Sequence, residues 1–115
     1  MISKKTDRNV ITEIGAENGE GILKLDKLIQ KPNAPEKLQM YAQANLEPGA
    51  SVGYHVHNGE SEIYYILSGT GDYDDNGTVY KVNAGDATYT KSGEGHGIKN
   101  TSNEPLVFMA LIIKD

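Results

Sequence analysis

The sequence predicts an all-β domain, an antiparallel barrel or sandwich, and three observations carry that prediction. Turn signals rich in Gly, Asn, Asp and Pro recur about every 8–12 residues. Between them lie segments that alternate apolar and polar side chains, and no stretch shows a convincing helical period. The composition agrees, with 13 glycines and 7 tyrosines in 115 residues, a balance that suits strands and turns better than a helical bundle. A chain of 115 residues supports one core and not two.

The elements follow in order. Residues 1–9 are polar, either frayed or pinned by an edge pairing, and Val10 to Ile14 reads as a short strand. Gly15 to Gly21 is a flexible turn, and Ile22 to Ile29 is ambiguous between strand and helix at its length. Lys31 to Glu36 holds two prolines and reads as a surface loop. Residues 1–30 are therefore taken as an N-terminal extension that packs on the main body or on a partner subunit, with the barrel spanning 31–115.

Leu38 to Leu46 is the clearest strand. Leu38, Met40, Ala42, Ala44 and Leu46 alternate without exception with Gln39, Tyr41, Gln43 and Asn45. Glu47-Pro48-Gly49 ends it as a turn. Further strands are expected through Tyr54 to His57 and Glu62 to Ser68. A hairpin is expected over Gly71 to Val82, turning at Asp75-Asn76-Gly77. Ala87 to Thr90 is β-branched and aromatic, and His96 opens another strand after a glycine-rich loop. Leu106 to Ile113 is apolar on both faces, so it is expected to be buried on both sides.

Charge and composition exclude several function classes. A net charge of -5 and a pI near 5.1 argue against nucleic-acid binding, which needs clustered Lys and Arg. No basic amphipathic segment points to an anionic membrane surface. The longest apolar run, Leu106 to Ile113, is too short to span a bilayer. The absence of cysteine removes disulfides, thiolate catalysis and cysteine-ligated zinc together. The first ten residues carry charge and no apolar core of a signal peptide, so a cytoplasmic location is the default expectation.

The chemistry concentrates in Gly49 to Gly69, GASVGYHVHNGESEIYYILSG. His55 and His57 fall on one side of an extended segment, about 6.6 Å apart along the backbone, close enough for both imidazoles to reach one metal ion. A turn at Asn58-Gly59 can fold the Glu62 carboxylate back towards them. On this stretch alone, a metal site and a half-exposed polar pair on a sheet are both open. The third histidine, His96, sits in a second glycine-rich stretch, and three imidazoles with one carboxylate suit Mn, Fe, Ni, Co or Zn rather than Mg or Ca.

These two stretches resemble the two motifs of the cupin superfamily. The first, G-x5-H-x-H-x3/4-E-x6-G, is met by Gly49, His55, His57, Glu62 and Gly69. The second, G-x5-P-x-G-x2-H-x3-N, is met by Gly85, Gly93, His96 and Asn100, with Lys91 where the motif has proline. The match covers residues 49–100 and is far more specific than a lone His-x-His. Only 15 residues separate the motifs, which is similar to small single-domain microbial members.

The resemblance implies a cupin-type antiparallel jelly-roll barrel with one divalent transition metal held by His55, His57, Glu62 and His96. It makes the glycines turn residues and Asn100 a structural hydrogen-bonder. Glu62 has better ligand spacing than Glu60. Glu60 reads as a solvated carboxylate at the turn, with Glu60 or Glu94 reaching the mouth as a proton-transfer group kept as the alternative, and no catalytic side chain is assigned. Tyr64 and Ile66 share the strand face of Glu62 and are the expected pocket lining.

Three neutral histidines, one carboxylate and a divalent ion sum to about +1, which favours a small anionic ligand. The implied function is a metal-dependent enzyme on a small carboxylate or polar metabolite, of decarboxylase, dioxygenase or isomerase type. The alternative is a non-catalytic small-molecule or sugar-binding module, since the fold does not dictate the chemistry. If Glu62 faces the site, Ile63 and Leu67 point outwards. Burying two such side chains contributes roughly 3–6 kcal/mol, and a second layer, the N-terminal extension or a homodimer partner would cover them.

Overall fold

The computed structural model describes all residues, Met1–Asp115. Ten strands run in chain order: β1 (Ile11–Ile14), β2 (Ile22–Lys27), β3 (Leu38–Leu46), β4 (Ser51–Val56), β5 (Glu60–Ser68), β6 (Thr70–Asp75), β7 (Thr78–Asn83), β8 (Ala87–Thr90), β9 (Gly95–Lys99) and β10 (Leu106–Lys114). They form a six-stranded sheet in the order β1-β2-β3-β10-β5-β8 and a four-stranded sheet in the order β4-β9-β6-β7. Every pairing is antiparallel. The all-β architecture read from the turn spacing is the one observed, and the strand order is that of a jelly roll.

The alternation that marked β3 decides the core. Ala42, Ala44 and Leu46 face inward and are fully buried, while Gln39 and Gln43 face out. The ambiguous stretch from Ile22 becomes a strand because its own alternation meshes with β3. Leu23 lies opposite Leu46 and Leu25 opposite Ala44, with both leucines buried. From the smaller sheet, Val52, Tyr73, Val82 and Ile98 complete the same core.

β10 corrects one expectation. Leu106, Phe108 and Ala110 are buried, but Val107, Met109 and Leu111 are only half-buried and Ile113 is exposed. The strand is central in its sheet yet covered on one face, because both sheets contribute a single inner layer. Across its outer face, Leu111 pairs with Tyr41 and Ile63, and Ile63 in turn with Tyr89.

Two features outside the strands position the site. Residues Ala16–Asn18 form one short 3-10 turn between β1 and β2, and it packs on β4. At the far end of β9, fully buried Asn100 donates to the carbonyls of Leu46 (2.9 Å) and Glu104 (2.7 Å). Its own oxygen accepts from the Ser102 N–H at 3.0 Å and hydroxyl at 2.9 Å. The expected structural asparagine is thus fully bonded, as a buried amide must be.

Candidate metal centre

The two strands that carry the histidines lie side by side, and His55 on β4 is the direct cross-strand partner of His96 on β9. The register reaches that pairing through a bulge. Val52 opposes Ile98, yet three steps along β4 correspond to two along β9. The extra residue falls at Gly53-Tyr54, and it turns His55 inward while Tyr54 stays exposed. The ladder continues past β4, where the His57 N–H donates to the Glu94 carbonyl (3.1 Å) and the Gly93 N–H donates to the His57 carbonyl (2.6 Å). The loop that delivers His96 is therefore hydrogen-bonded to the histidine it must meet.

Glu62 arrives from the other sheet. It sits on β5 between Ile112 of β10 and Thr90 of β8, with its carboxylate buried. Its Oε1 stands 3.0 Å from His57 Nε2 and 2.9 Å from His96 Nε2, and those two nitrogens are 3.1 Å apart. One donor atom from each of His55, His57, Glu62 and His96 lies within 4.8 Å of every other.

This donor set fits a metal ion. At metal–donor distances of about 2.1 Å, adjacent donors on an octahedral ion stand about 3.0 Å apart, which is the spacing of this triangle. The backs of the rings are held as well. His55 Nδ1 donates to the Gly53 carbonyl (2.7 Å), and His57 Nδ1 pairs with Glu60 Oε1 (3.1 Å). His96 Nδ1 meets the Tyr73 hydroxyl (2.7 Å), which in turn pairs with Thr90 Oγ1 (2.9 Å). A ring nitrogen protonated against a carbonyl or carboxylate leaves Nε2 as a lone pair. Lone pairs facing a carboxylate at 3 Å call for a cation between them. Burial holds His96 below the usual histidine range against the opposing pull of Glu62, so its ring stays neutral and available as a ligand. The buried His/His/Glu/His cluster is a coordination site for one divalent transition metal.

A cavity of about 190 Å³ opens beside the cluster, lined by His55, His57, Glu60, Glu62 and Tyr64 on one side and by apolar side chains of β2, β3 and β10 on the other. Tyr64 stacks between Phe108 and His96, with ring centroids at 4.5 and 5.0 Å. Burial, and then the neighbouring Glu62 carboxylate, push its phenol well above the usual range, so it remains a hydrogen-bond donor. Ile66, two residues further along β5, is fully buried in the core and lies outside the cavity lining.

The remaining acids separate by position. Glu60 lines the cavity and holds His57. Glu94 lies outside the lining; its Oε1 accepts the Lys91 N–H at 3.0 Å and closes the turn before β9. Lys91 stands where the motif has proline, and this bond uses an N–H that proline lacks. Glu17 went unrecognised in the sequence, where residues 15–21 read only as a flexible turn. Glu17 and Asn18 adopt φ of 51° and 60°, strained for side-chain-bearing residues, and Glu17 lines the cavity with Glu13. The signal for it was faint: an acid between Gly15 and Gly19, in a turn that closes over Gly53.

Fold and site together define a jelly-roll protein built around one divalent-metal centre. The chain belongs to the cupin family, whose cupin domain model matches residues 42–112. It is 46% identical over 95 residues to an oxalate-binding protein of Thermotoga maritima, covering 83% of this chain and 78% of the relative. It is 32% identical over 79 residues to the oxalate decarboxylase OxdC of Bacillus subtilis, covering 64% of this chain and 20% of that longer protein. A crystal structure of a predicted oxalate decarboxylase from Thermotoga maritima superimposes with a TM-score of 0.94 at 39% identity, covering 100% of both chains. No helix is long and apolar enough to cross a membrane.

Proposed function

We propose that this chain is a metal-dependent enzyme acting on a small carboxylate, with His55, His57, Glu62 and His96 as the ligands of one divalent transition metal. The observation that carries the proposal is the donor triangle of 2.9, 3.0 and 3.1 Å with every ring held from behind. The names of the relatives, two of which speak of oxalate decarboxylase and one of oxalate binding, support a carboxylate as the ligand. Four protein ligands leave open positions where a bound ion polarises a substrate carboxylate or carbonyl. Tyr64 lines the cavity with a phenol that stays protonated and is available to donate to a bound ligand, and Glu60 holds His57 Nδ1 while standing where a proton can be given or taken. The reaction class is that of a decarboxylase, dioxygenase or isomerase.

The test has two stages. Protein purified without chelator or affinity metal is analysed for its elements, and His57→Ala is expected to lose the metal while remaining folded. The loaded protein is then offered 2-oxo, 2-hydroxy and dicarboxylic acids, with consumption followed by proton NMR. No metal on purification or reconstitution overturns the proposal. Metal-dependent binding without turnover of any acid leaves a binding module, the reading that fits the name of the first Thermotoga relative.

The outer face of the six-stranded sheet supports a homodimer. Tyr65, Leu67 and Tyr89 are 47%, 41% and 59% exposed and continue the row of Met109, Leu111 and Ile63, an apolar face of the kind that a second copy covers. Residues 1–30 would then lie at the edge of that face. Sedimentation of the wild type and of Tyr65→Glu tests this reading; a wild-type monomer at micromolar concentration would overturn it.

A further inference from the structure

A second cavity, of about 240 Å³, lies where β2 ends, and it shares a wall with the metal cavity. On the inner face of β2, Leu23 and Leu25 line the metal cavity, while Lys27, the next inward position, lines the second one. β3 repeats the pattern. Ala44 lines the first cavity, Leu38 the second, and Met40 both. Met40 lies opposite Ile112, which lies opposite Glu62. The shared wall therefore stands two strands, about 10 Å, from the carboxylate that faces the metal. Beyond Lys27 the Leu28 N–H donates to the Tyr41 carbonyl at 2.8 Å, and the chain then leaves the sheet as the loop that brings Lys31 to the cavity.

The two cavities differ in charge. No Lys or Arg lines the metal cavity. The second is lined by two lysines and by no Asp or Glu. Neither lysine has an acidic partner within ion-pair distance, whereas Arg8, Lys24 and Lys81 all do. In a chain of net charge -5, unpaired cations gathered in a concave site attract and concentrate small anions. Lys27 is half-buried, which covers its apolar stem and leaves the ammonium for a ligand. The shared wall is of a matching kind. Met40 is only partly buried against the core, and an unbranched thioether with three rotatable bonds changes rotamer without moving backbone.

We infer that the second cavity is an anion-binding antechamber of the metal centre. Lys27 and Lys31 take up a small carboxylate there, and Met40 is the gate through which it reaches the metal. Two ammonium groups suit a small dicarboxylate best. This inference rests on the metal centre and carboxylate ligand proposed above and adds the route between solvent and metal.

Two measurements test it, with oxalate as the probe. The first uses metal-free protein labelled at the methyl groups of its three methionines, Met1, Met40 and Met109. Oxalate is expected to shift the Met40 methyl resonance and the backbone amides of Lys27 and Lys31. The double variant Lys27→Gln, Lys31→Gln should weaken that binding at least about tenfold. The second measurement follows oxalate association with cobalt-loaded protein by stopped-flow absorbance. At low salt the double lysine variant should associate about fivefold more slowly than the wild type, with the gap closing as salt is raised. Met40→Ala should speed association and dissociation by a similar factor. Met40→Leu, which keeps the volume and hence the fold, should slow both. Absence of shifts at Met40, Lys27 and Lys31 in the metal-free protein overturns the inference and leaves the metal centre untouched. Wild-type rates in either the lysine or the methionine variants do the same. Failure to load cobalt overturns the metal reading instead, and the metal-free titration then decides whether the second cavity binds an anion.

Discussion

His55 and His96 are direct cross-strand partners on β4 and β9, and they face each other across a bulge that adds one residue to β4. Without the bulge, regular alternation from buried Val52 would direct Tyr54 and Val56 inward and His55 out. In the folded chain those two residues are exposed and His55 turns to the site. The metal centre therefore depends on a backbone irregularity as much as on its ligands. Gly53 makes the irregularity possible, since its backbone lies against the Glu17 turn.

Gly53→Ala tests that dependence. A Cβ at Gly53 would collide with the Glu17 carbonyl oxygen and come within 3.0 Å of the Gly19 nitrogen. Both atoms belong to backbone and have little room to yield. Overpacking of this kind costs about 1–3 kcal/mol, so the melting temperature should fall by at least about 5 °C. Cobalt affinity should fall with it, because the shifted turn moves the carbonyl that fixes His55 Nδ1. A variant with unchanged melting and unchanged metal affinity would show that the bulge is tolerant.

The N-terminal segment is fastened by Arg8, and that fastening has a pH signature. Its guanidinium grips Asp26 of β2 with two bonds of 2.8 and 3.0 Å and holds the Ser3 carbonyl at 2.8 Å. The hydrogen bonds from Arg8 hold the Asp26 carboxyl below its usual value of 3.8. A depressed carboxyl contributes stability that is present above its unfolded value and is lost as pH falls through the folded one. Arg8→Ala should therefore be less stable than the wild type at neutral pH, with the gap closing well below pH 3.8. Urea denaturation at pH 7 and under acid conditions measures it; a gap that stays constant or widens in acid would assign the effect to packing of the arginine stem.

How much of this was legible follows from the range of each signal. β3 was visible residue by residue because its two faces see different solvents, and period two records that directly. The donor cluster was visible because two spacings each fixed a strand, a turn and a side chain together. Ile22 to Ile29 was not resolved, since its leucines have meaning only against Ala44 and Leu46 on the neighbouring strand. The outer face of β10 misled because apolar residues on a half-buried outer face read the same in sequence as those in a core. Glu17 lies 38 residues before His55 in the chain, and its place at the cavity is set by the packing of its turn on β4, which local pattern does not encode. Tyr73, read only as part of a hairpin, reaches His96 through the pairing of β6 with β9.

Tyr73→Phe isolates one of those distant contacts. The hydroxyl is the sole partner of His96 Nδ1 and links it to Thr90. Burial raises the phenol above its usual 10.0, so it remains a hydroxyl throughout the working range. Removing it leaves the ring in place, packed by Tyr64 at 5.0 Å, with its tautomer no longer set. Loss of such a partner weakens metal affinity about 10–100-fold. Competition with a coloured chelator reads that change, and the far-ultraviolet circular dichroism should be unaltered. An affinity within twofold of the wild type would show that Tyr73 only fills space.

The two carboxylates near the histidines should respond differently to the same substitution. Glu62 Oε1 touches Nε2 of both His57 and His96, on the side where lone pairs converge. Glu60 Oε1 touches Nδ1 of His57, on the side that must carry a proton. Glu62→Gln replaces an anionic donor with a neutral amide inside the triangle, so metal stoichiometry on purification should drop to near zero. Glu60→Gln retains an oxygen that accepts from Nδ1–H, so the metal should stay bound with affinity reduced by no more than about 10-fold. Turnover should nevertheless fall further than affinity in Glu60→Gln, because an amide neither gives nor takes a proton at the cavity mouth. Parallel elemental analysis and turnover on both variants decides the matter. Retention of full metal by Glu62→Gln together with its loss in Glu60→Gln would exchange the two roles.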